Sequence, residues 1–125
     1  MMIRIMTNLG RNHVRVEGHA RSPRTANGID LVCCAVSTLI MALMYTLQRL
    51  SGVYITADVQ DGYSDIAVYP DEDCPHDVWV EALSRVQMTR DGLMMLAAEY
   101  PAYIRIHPPD SAHETAAPPD PPLDP

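Results

Sequence analysis

The residues of this chain with the clearest capacity for chemistry are a histidine and a cysteine at the two ends of one loop, His19 and Cys33. A neutral imidazole that reaches a thiol can take its proton, and the resulting thiolate is a nucleophile. The protonated imidazole can then protonate an amine leaving group, as in cysteine proteases. Because sequence spacing does not show that the two side chains meet, the pairing is a hypothesis.

Two predicted strands precede this loop. Alternating apolar residues predict one strand from Met2 to Thr7 and a second from His13 to Ala20. Because side chains alternate between the faces of a strand, His19 falls on the polar face at the end of the second strand. Residues 21–28 are rich in turn formers and have no apolar periodicity, so we expect a mobile loop there.

A helix follows the loop and is apolar nearly all round, so we expect it to be buried. Asp30 is a plausible N-cap, and Gly52 is expected to close the helix. Asp30, Cys33 and Ser37 share one stripe of this helix. Cys33 falls in the first turn, where unpaired N–H groups and the helix dipole favour a thiolate and can stabilise an oxyanion.

Each of these residues also has a purely structural interpretation. A first-turn cysteine often fills core space, and a histidine at a strand end, such as His19, is often simply solvated. Asp30 can act as a cap alone, and Ser37 can bond back to the carbonyl of Cys33. Cys34 points about 100° away from its neighbour on an ideal helix, so we expect it in the core. The residue pattern alone leaves both interpretations open.

The rest of the chain predicts a second hairpin, a second helix and a final strand. Strands at Val53–Gln60 and Tyr63–Tyr69 flank a tight Asp-Gly turn. The second helix begins near Pro75 and ends at Tyr100, and a short strand over Ala102–Ile106 follows. Within this helix we expect Gly92 to mark close packing, and three methionines to lie in the core: Met88, Met94 and Met95.

The element order ββαββα, with a possible final β, predicts an α/β (α+β) fold. We expect a two-layer sandwich with a mainly antiparallel sheet and both helices on one face. Residues 1–107 form the single domain. Residues 108–125 are rich in proline and acidic residues and cannot bury a core, so we expect a disordered tail.

Composition narrows the class of protein. The chain has 125 residues and a net charge of −7, which disfavours a non-specific phosphate-binding surface and suits a basic partner. The three cysteines, Cys33, Cys34 and Cys74, contain no C-x₂-C pair and predict neither a disulfide framework nor a metal site. Without a signal-peptide pattern or an apolar run of about 20 residues, we expect a cytoplasmic protein that binds neither nucleic acid nor membranes.

The segment from Gly18 to Ser37 resembles the motif of a known family, the ribosomal-processing cysteine proteases called Prp. The matching residues are Gly18-His19-Ala20, Gly28-Ile29-Asp30-Leu31-Val32-Cys33 and Ala35-Val36-Ser37. Two further stretches also match, Asp61-Gly62-Tyr63 and the segment from Gly92 to Ile104. The resemblance covers about residues 2 to 106.

The resemblance implies that Cys33 is the nucleophile and His19 the general base and acid. Gly18, Asp30 and Ser37 match further motif positions with supporting roles, and we expect no metal or other cofactor. The implied substrate is bacterial large-subunit ribosomal protein twenty-seven, whose short N-terminal extension is removed after an apolar, aromatic-containing stretch that precedes a basic body. The family also implies a homodimer, and a loop between His19 and Cys33 that becomes ordered around the substrate.

Three features depart from the family pattern. Cys34 stands where the family usually has alanine, the loop at 21–26 is longer, and the acidic tail has no counterpart. A rival hypothesis is therefore a non-catalytic, ribosome-associated or scaffold-binding module with the same fold. A thiol redox sensor that uses Cys33 and Cys34 is a weaker third possibility.

Overall fold

A five-stranded sheet packs against two helices. The computed structural model describes residues 2–7, 9–18, 25–26 and 29–107, and of residues 25–26 and 29–30 it describes the backbone only. His19, most of the loop predicted at 21–28 and the tail predicted at 108–125 lie outside these ranges.

The elements follow the predicted order, with one addition in the loop. They are β1 (Ile3–Met6), β2 (His13–Glu17), β3 (Thr25–Ala26), β4 (Ile29–Asp30), α1 (Leu31–Leu47), β5 (Val53–Gln60), β6 (Tyr63–Pro70), α2 (His76–Glu99) and β7 (Ile104–His107). The predicted loop is not wholly irregular, because β3 and β4 pair as a short antiparallel ribbon. Asp30 therefore ends a strand and immediately precedes α1.

The main sheet has the strand order β5-β6-β2-β1-β7. Both predicted hairpins form antiparallel pairs, and β7 adds to β1 in parallel. The prediction of an α+β sandwich with a mainly antiparallel sheet is thus confirmed. β1 and β2 lie inside the sheet, so the first hairpin has a neighbouring strand on each side: β6 pairs with β2, and β7 pairs with β1.

The core lies between the helices and one face of the sheet. Alternate residues of β1, β2 and β6 are buried on that face, as period-two patterning predicts. One stripe of each helix packs against them. The buried apolar residues of this core are Ile3, Ile5, Val14, Val16, Ile66, Val68 and Ile104 from the strands, Val32, Val36, Ile40, Leu43 and Leu47 from α1, and Ala82, Val86, Leu93 and Leu96 from α2.

Two glycines confirm local predictions. Gly62 has a φ of +78° in the two-residue turn between β5 and β6, a conformation that glycine adopts without a Cβ clash. Gly92 lies where α2 meets α1, and a Cβ there would come within 3.1 Å of Leu39 Cδ1. The glycine in the second helix therefore marks close helix packing, as predicted.

Three expectations about burial were wrong. α1 is not a buried helix, because Leu31, Met41 and Tyr45 are half or more exposed. Cys34 is exposed rather than part of the core. The α2 methionines are also exposed: Met88, Met94 and Met95. The common reason is that a two-layer fold covers only the sheet-facing stripe of each helix.

The end of α1 differs slightly from the prediction. The helix ends at Leu47, and Gly52, with a φ of +105°, lies in the turn that leads into β5. A Cβ at Gly52 would contact Pro75, which precedes α2. None of the described helices is long and apolar enough to span a membrane.

Candidate active site

A cavity of about 320 Å³ opens between the first half of α1 and the helix-covered face of the sheet. Its walls are mainly apolar and come from α1, β1, β2 and the end of β5. The apolar lining residues are Ile3, Val16, Val36, Ile40, Met41 and Val59. The turn between β5 and β6 forms the rest of the rim. A cavity of this size and composition can take one or two apolar side chains.

Cys33 lies at this cavity. It is the third residue of α1 and is partly buried against the core. The first turn of a helix has N–H groups without intrahelical partners, and these groups can bind a developing negative charge. The structure thus places the candidate nucleophile in the first turn, as the sequence predicted, and adds a cavity beside it.

The structure describes the side chain of only one of the other two residues of the predicted stripe, Ser37 and Asp30. Ser37, one turn after Cys33, lines the same cavity. Asp30 directly precedes the helix, which is where an N-cap stands, but its side chain lies outside the described residues. The structure therefore brings Cys33 and Ser37 together and leaves the roles of Asp30 as predictions.

Gly18 has a clear structural reason to be glycine. Its φ is +97°, and a Cβ on it would clash with the carbonyl oxygen of Met2. Its N–H donates a hydrogen bond to the carbonyl oxygen of Gly62 at 2.8 Å, which joins the end of β2 to the β5–β6 turn. Gly18 lines the cavity, and His19 follows it in the sequence. His19 itself is not among the described residues, so its pairing with Cys33 stays a prediction.

Cys34 and Cys74 lie away from this cavity. Cys34 is exposed and does not line the cavity, and the Cys74 thiol donates a hydrogen bond to the carbonyl oxygen of Pro75 at 3.4 Å. Within the described part of the chain, no three His, Cys, Asp or Glu side chains are grouped as a metal site would require.

Sequence reasoning missed the contribution of the β5–β6 turn. Asp61, Gly62, Tyr63 and Ser64 all line the cavity that contains Cys33. The turn was predicted, but its place beside the helix depends on the pairing of β6 with β2, which is distant in sequence. The signal that pointed to it was the match of Asp61-Gly62-Tyr63 to the family hairpin.

A second cluster of titratable residues lies on the opposite face of the sheet. Asp65 Oδ1 is 2.5 Å from His13 Nε2 and 3.1 Å from Arg15 Nε. Burial raises the pKa of Asp65, but the hydrogen bonds from His13 and Arg15 outweigh it and hold that pKa below its ordinary value. His13 and Arg15 are hydrogen-bonded to Asp65, and none of the three residues lines the cavity at Cys33.

Known structures share this fold. A protein called SMU.848 from Streptococcus mutans is 24% identical, with a TM-score of 0.63 over 85% of this chain and 96% of its own. An essential ribosomal processing protease Prp from S. aureus, in complex with a covalently linked product peptide, is 23% identical, with a TM-score of 0.62 over 84% of this chain and 95% of its own. The same protease with a substrate peptide gives 20% identity and a TM-score of 0.60, over 85% and 98% of the two chains.

Sequence comparison gives the family directly. No curated protein sequence matches this one significantly. The family model of the cysteine protease Prp matches residues 2–105, which include every element from β1 to α2 and the cavity that contains Cys33. This chain therefore belongs to the Prp family of cysteine proteases.

Proposed function

We propose that this protein is an endopeptidase that removes the N-terminal extension of bacterial large-subunit ribosomal protein twenty-seven, with Cys33 as nucleophile and His19 as general base and acid. The observation that carries the proposal is the position of Cys33 in the first turn of α1, at the wall of an apolar cavity. The S. aureus structures with product and substrate peptides, which are described as a ribosomal processing protease, support the same assignment.

The proposed reaction proceeds through two acyl transfers. His19 takes the proton of the Cys33 thiol, and the thiolate sulfur attacks the carbonyl carbon of the scissile bond. N–H groups of the first turn of α1 bind the oxyanion. The protonated imidazole gives its proton to the leaving amine, which leaves a thioester on Cys33. Water, deprotonated by His19, then attacks the thioester and releases the carboxylate product and the thiol.

The cavity and the net charge suit this substrate. The apolar walls fit an apolar or aromatic side chain beside the scissile bond. The net charge of −7 attracts a basic ribosomal protein and raises its encounter rate at low salt. Substrate recognition would thus combine a local apolar contact with long-range attraction.

A cleavage assay tests the assignment. The substrate is the ribosomal protein from the same genome with its N-terminal extension, and mass spectrometry detects the shortened product. We expect wild-type protein and Cys34→Ala to produce it and Cys33→Ala to produce none. Equal cleavage by Cys33→Ala would exclude Cys33 as the nucleophile. Binding without cleavage by wild-type protein would favour the non-catalytic module.

We further propose that the enzyme is a cytoplasmic homodimer that uses the outer face of α1. Residues 31–47 contain no charged residue, and Leu31 and Tyr45 are 50% and 62% exposed; Met41, where this face meets the cavity, is 63% exposed. An uncharged, apolar helix face of this kind fits a second copy better than it fits water. None of the three cysteines forms a disulfide, which suits a reducing compartment.

Sedimentation velocity tests the dimer. We expect Tyr45→Arg to sediment as a monomer because it places a charge in the apolar interface. The matched control is Met88→Arg, which adds the same charge at an exposed position of α2 and should remain dimeric. Dimeric Tyr45→Arg would show that this face is not the interface.

A further inference from the structure

The two edges of the main sheet differ in their protection. β7, at one edge, has four residues, includes the charged Arg105, and is bounded in sequence by Pro101 and Pro108. Short length, charge and proline are the usual means by which proteins block an edge from pairing with another strand. The β7 edge is therefore protected against pairing with a further strand.

β5, at the other edge, lacks most of these protective features. It has eight residues, contains no proline, and carries one charged residue, Asp58. Its pairing with β6 runs without a bulge from Val53↔Pro70 to Gln60↔Tyr63. Among the described strands, β6 is the only partner of β5. A long edge without a bulge is a template for another strand.

The backbone groups that face this open edge can be assigned. The N–H of Val68 donates to the carbonyl oxygen of Asn12 at 3.0 Å, and the side-chain amide of Asn12 donates to the carbonyl oxygen of Val68 at 2.9 Å. The polar backbone groups of Val68 therefore point away from β5, and its cross-strand partner, Ile55, directs its own groups away from β6. By the same alternation, the open N–H and C=O groups of β5 belong to Val53, Ile55, Ala57 and Val59.

This edge leads to the active-site cavity. Val59 and Gln60, at the end of β5, line the cavity that contains Cys33. Val59 is half exposed and Ala57 is exposed, on the side of β5 that faces the helices. A strand added there would place every second side chain on this apolar side, continuing the apolar wall of the cavity.

We propose that β5 is the substrate-docking edge, to which the apolar segment that precedes the scissile bond adds as an extended strand. The partner is a peptide with apolar side chains at alternate positions, aligned by backbone hydrogen bonds to Val59, Ala57 and Ile55. The inference rests on the proposed function for the identity of the peptide. It goes beyond that function by assigning how the peptide is held.

A backbone scan of the substrate tests the docking. The probe is a fluorescent peptide with the sequence of the ribosomal extension, N-methylated at one amide at a time, and binding to Cys33→Ala protein is measured by anisotropy. Each methyl group removes one donor and adds bulk at one edge of the peptide. We expect affinity to fall about tenfold at every second position, which corresponds to the loss of one to two hydrogen bonds. A uniform response along the peptide would overturn the proposal.

A variant of the enzyme tests the same contact from the other side. Ala57→Pro removes an N–H that points to the open edge, and proline is tolerated at such edge positions. The matched control is Ala57→Ser, which keeps the N–H. We expect Ala57→Pro to raise KM about fivefold or more relative to Ala57→Ser, with kcat nearly unchanged and equal melting temperatures. Equal KM values would overturn the docking edge.

Two outcomes separate this inference from its premises. Period-two sensitivity in binding together with no cleavage by wild-type protein would support the docking edge and refute the proposed reaction. Conversion of a wild-type dimer to a monomer by Ala57→Pro would show that a second copy occupies β5, and would overturn the inference.

Discussion

The two faces of the main sheet carry opposite kinds of residues. The helix-covered face is apolar and is interrupted by a cavity that contains Cys33. The open face carries the charged cluster of His13, Arg15 and Asp65. The candidate nucleophile thus faces the side with space and few charges, whereas His13 and Arg15 on the open face are both hydrogen-bonded to Asp65.

Neighbouring residues show how sharply the sheet separates these two environments. Ser64 lines the cavity, and Asp65, the next residue of β6, accepts hydrogen bonds from the cluster on the other face. Because strand side chains alternate, a single step in sequence moves a side chain from the site of chemistry to a structural network. Substitutions on the two faces should therefore affect different measurements.

The largest expected difference is between His19, the proposed general base, and His13, which lies in β2 on the open face. His19→Ala should lower kcat/KM roughly a thousandfold, because a general base typically contributes that much. His13→Ala is the matched control on the open face, where Arg15 still pairs with Asp65, and its kcat/KM should stay within about twofold of wild type. Peptide cleavage kinetics measure both. Similar losses in the two variants would remove the functional distinction between the proposed catalytic pair and the cluster on the open face.

Periodicity accounts for what the sequence predicted correctly. Alternation gave the strands of both hairpins, and the Asp-Gly turn and Pro75 gave boundaries close to those observed. The first turn of α1 also followed from local signals, so the position of Cys33 in that turn was predictable. These features depend on neighbouring residues only.

The missed features depend on distant parts of the chain. Whether Cys34 or Met88 is buried depends on a third layer, which this fold does not have over the outer faces of its helices. The approach of the β5–β6 turn to Cys33 depends on the pairing of β6 with β2, and the Gly18–Gly62 hydrogen bond lies at the end of that pairing. Local sequence patterns predict neither the exposure of the outer helix faces nor the position of this turn.

Packing on the covered face gives the next largest effect. Gly92→Val should destabilise the fold by about 1–3 kcal/mol, because the new side chain would press on Leu39 between the two helices. Asp91→Ala, at the exposed neighbouring position, should change the free energy of unfolding by less than about 0.5 kcal/mol. Urea unfolding measures both. An unchanged midpoint for Gly92→Val would show that the helix interface has room that the structure does not show.

Filling the cavity should alter activity rather than stability. Ser64→Leu adds apolar volume where the substrate side chain is proposed to bind, so kcat/KM should fall roughly tenfold, mainly through KM. The melting temperature should stay the same or rise, since an apolar side chain enters an apolar space. Val80→Leu on α2 is an exposed control that should change neither quantity. Unchanged KM in Ser64→Leu would separate the cavity from substrate binding.

The smallest effect is expected on the open face and depends on pH. The pKa of Asp65 is lowered in the folded state, so its charged form stabilises the fold above the ordinary pKa of an aspartate, about 4, and this contribution is lost as the pH falls through the lowered value. Asp65→Asn keeps the shape but not the charge. It should therefore reduce the free energy of unfolding by up to about 1 kcal/mol at neutral pH and by progressively less under acid conditions.

The matched control for this charge is Glu99→Gln, which neutralises an exposed carboxylate at the end of α2. Urea unfolding between pH 2 and 7, a range that spans the carboxylate titrations, should show a pH-dependent difference for Asp65→Asn and a much smaller one for the control. Cleavage at neutral pH should be unaffected by either change. A loss of activity in Asp65→Asn without a loss of stability would mean that the open face influences the thiol through the sheet, and the separation of the two faces would no longer hold.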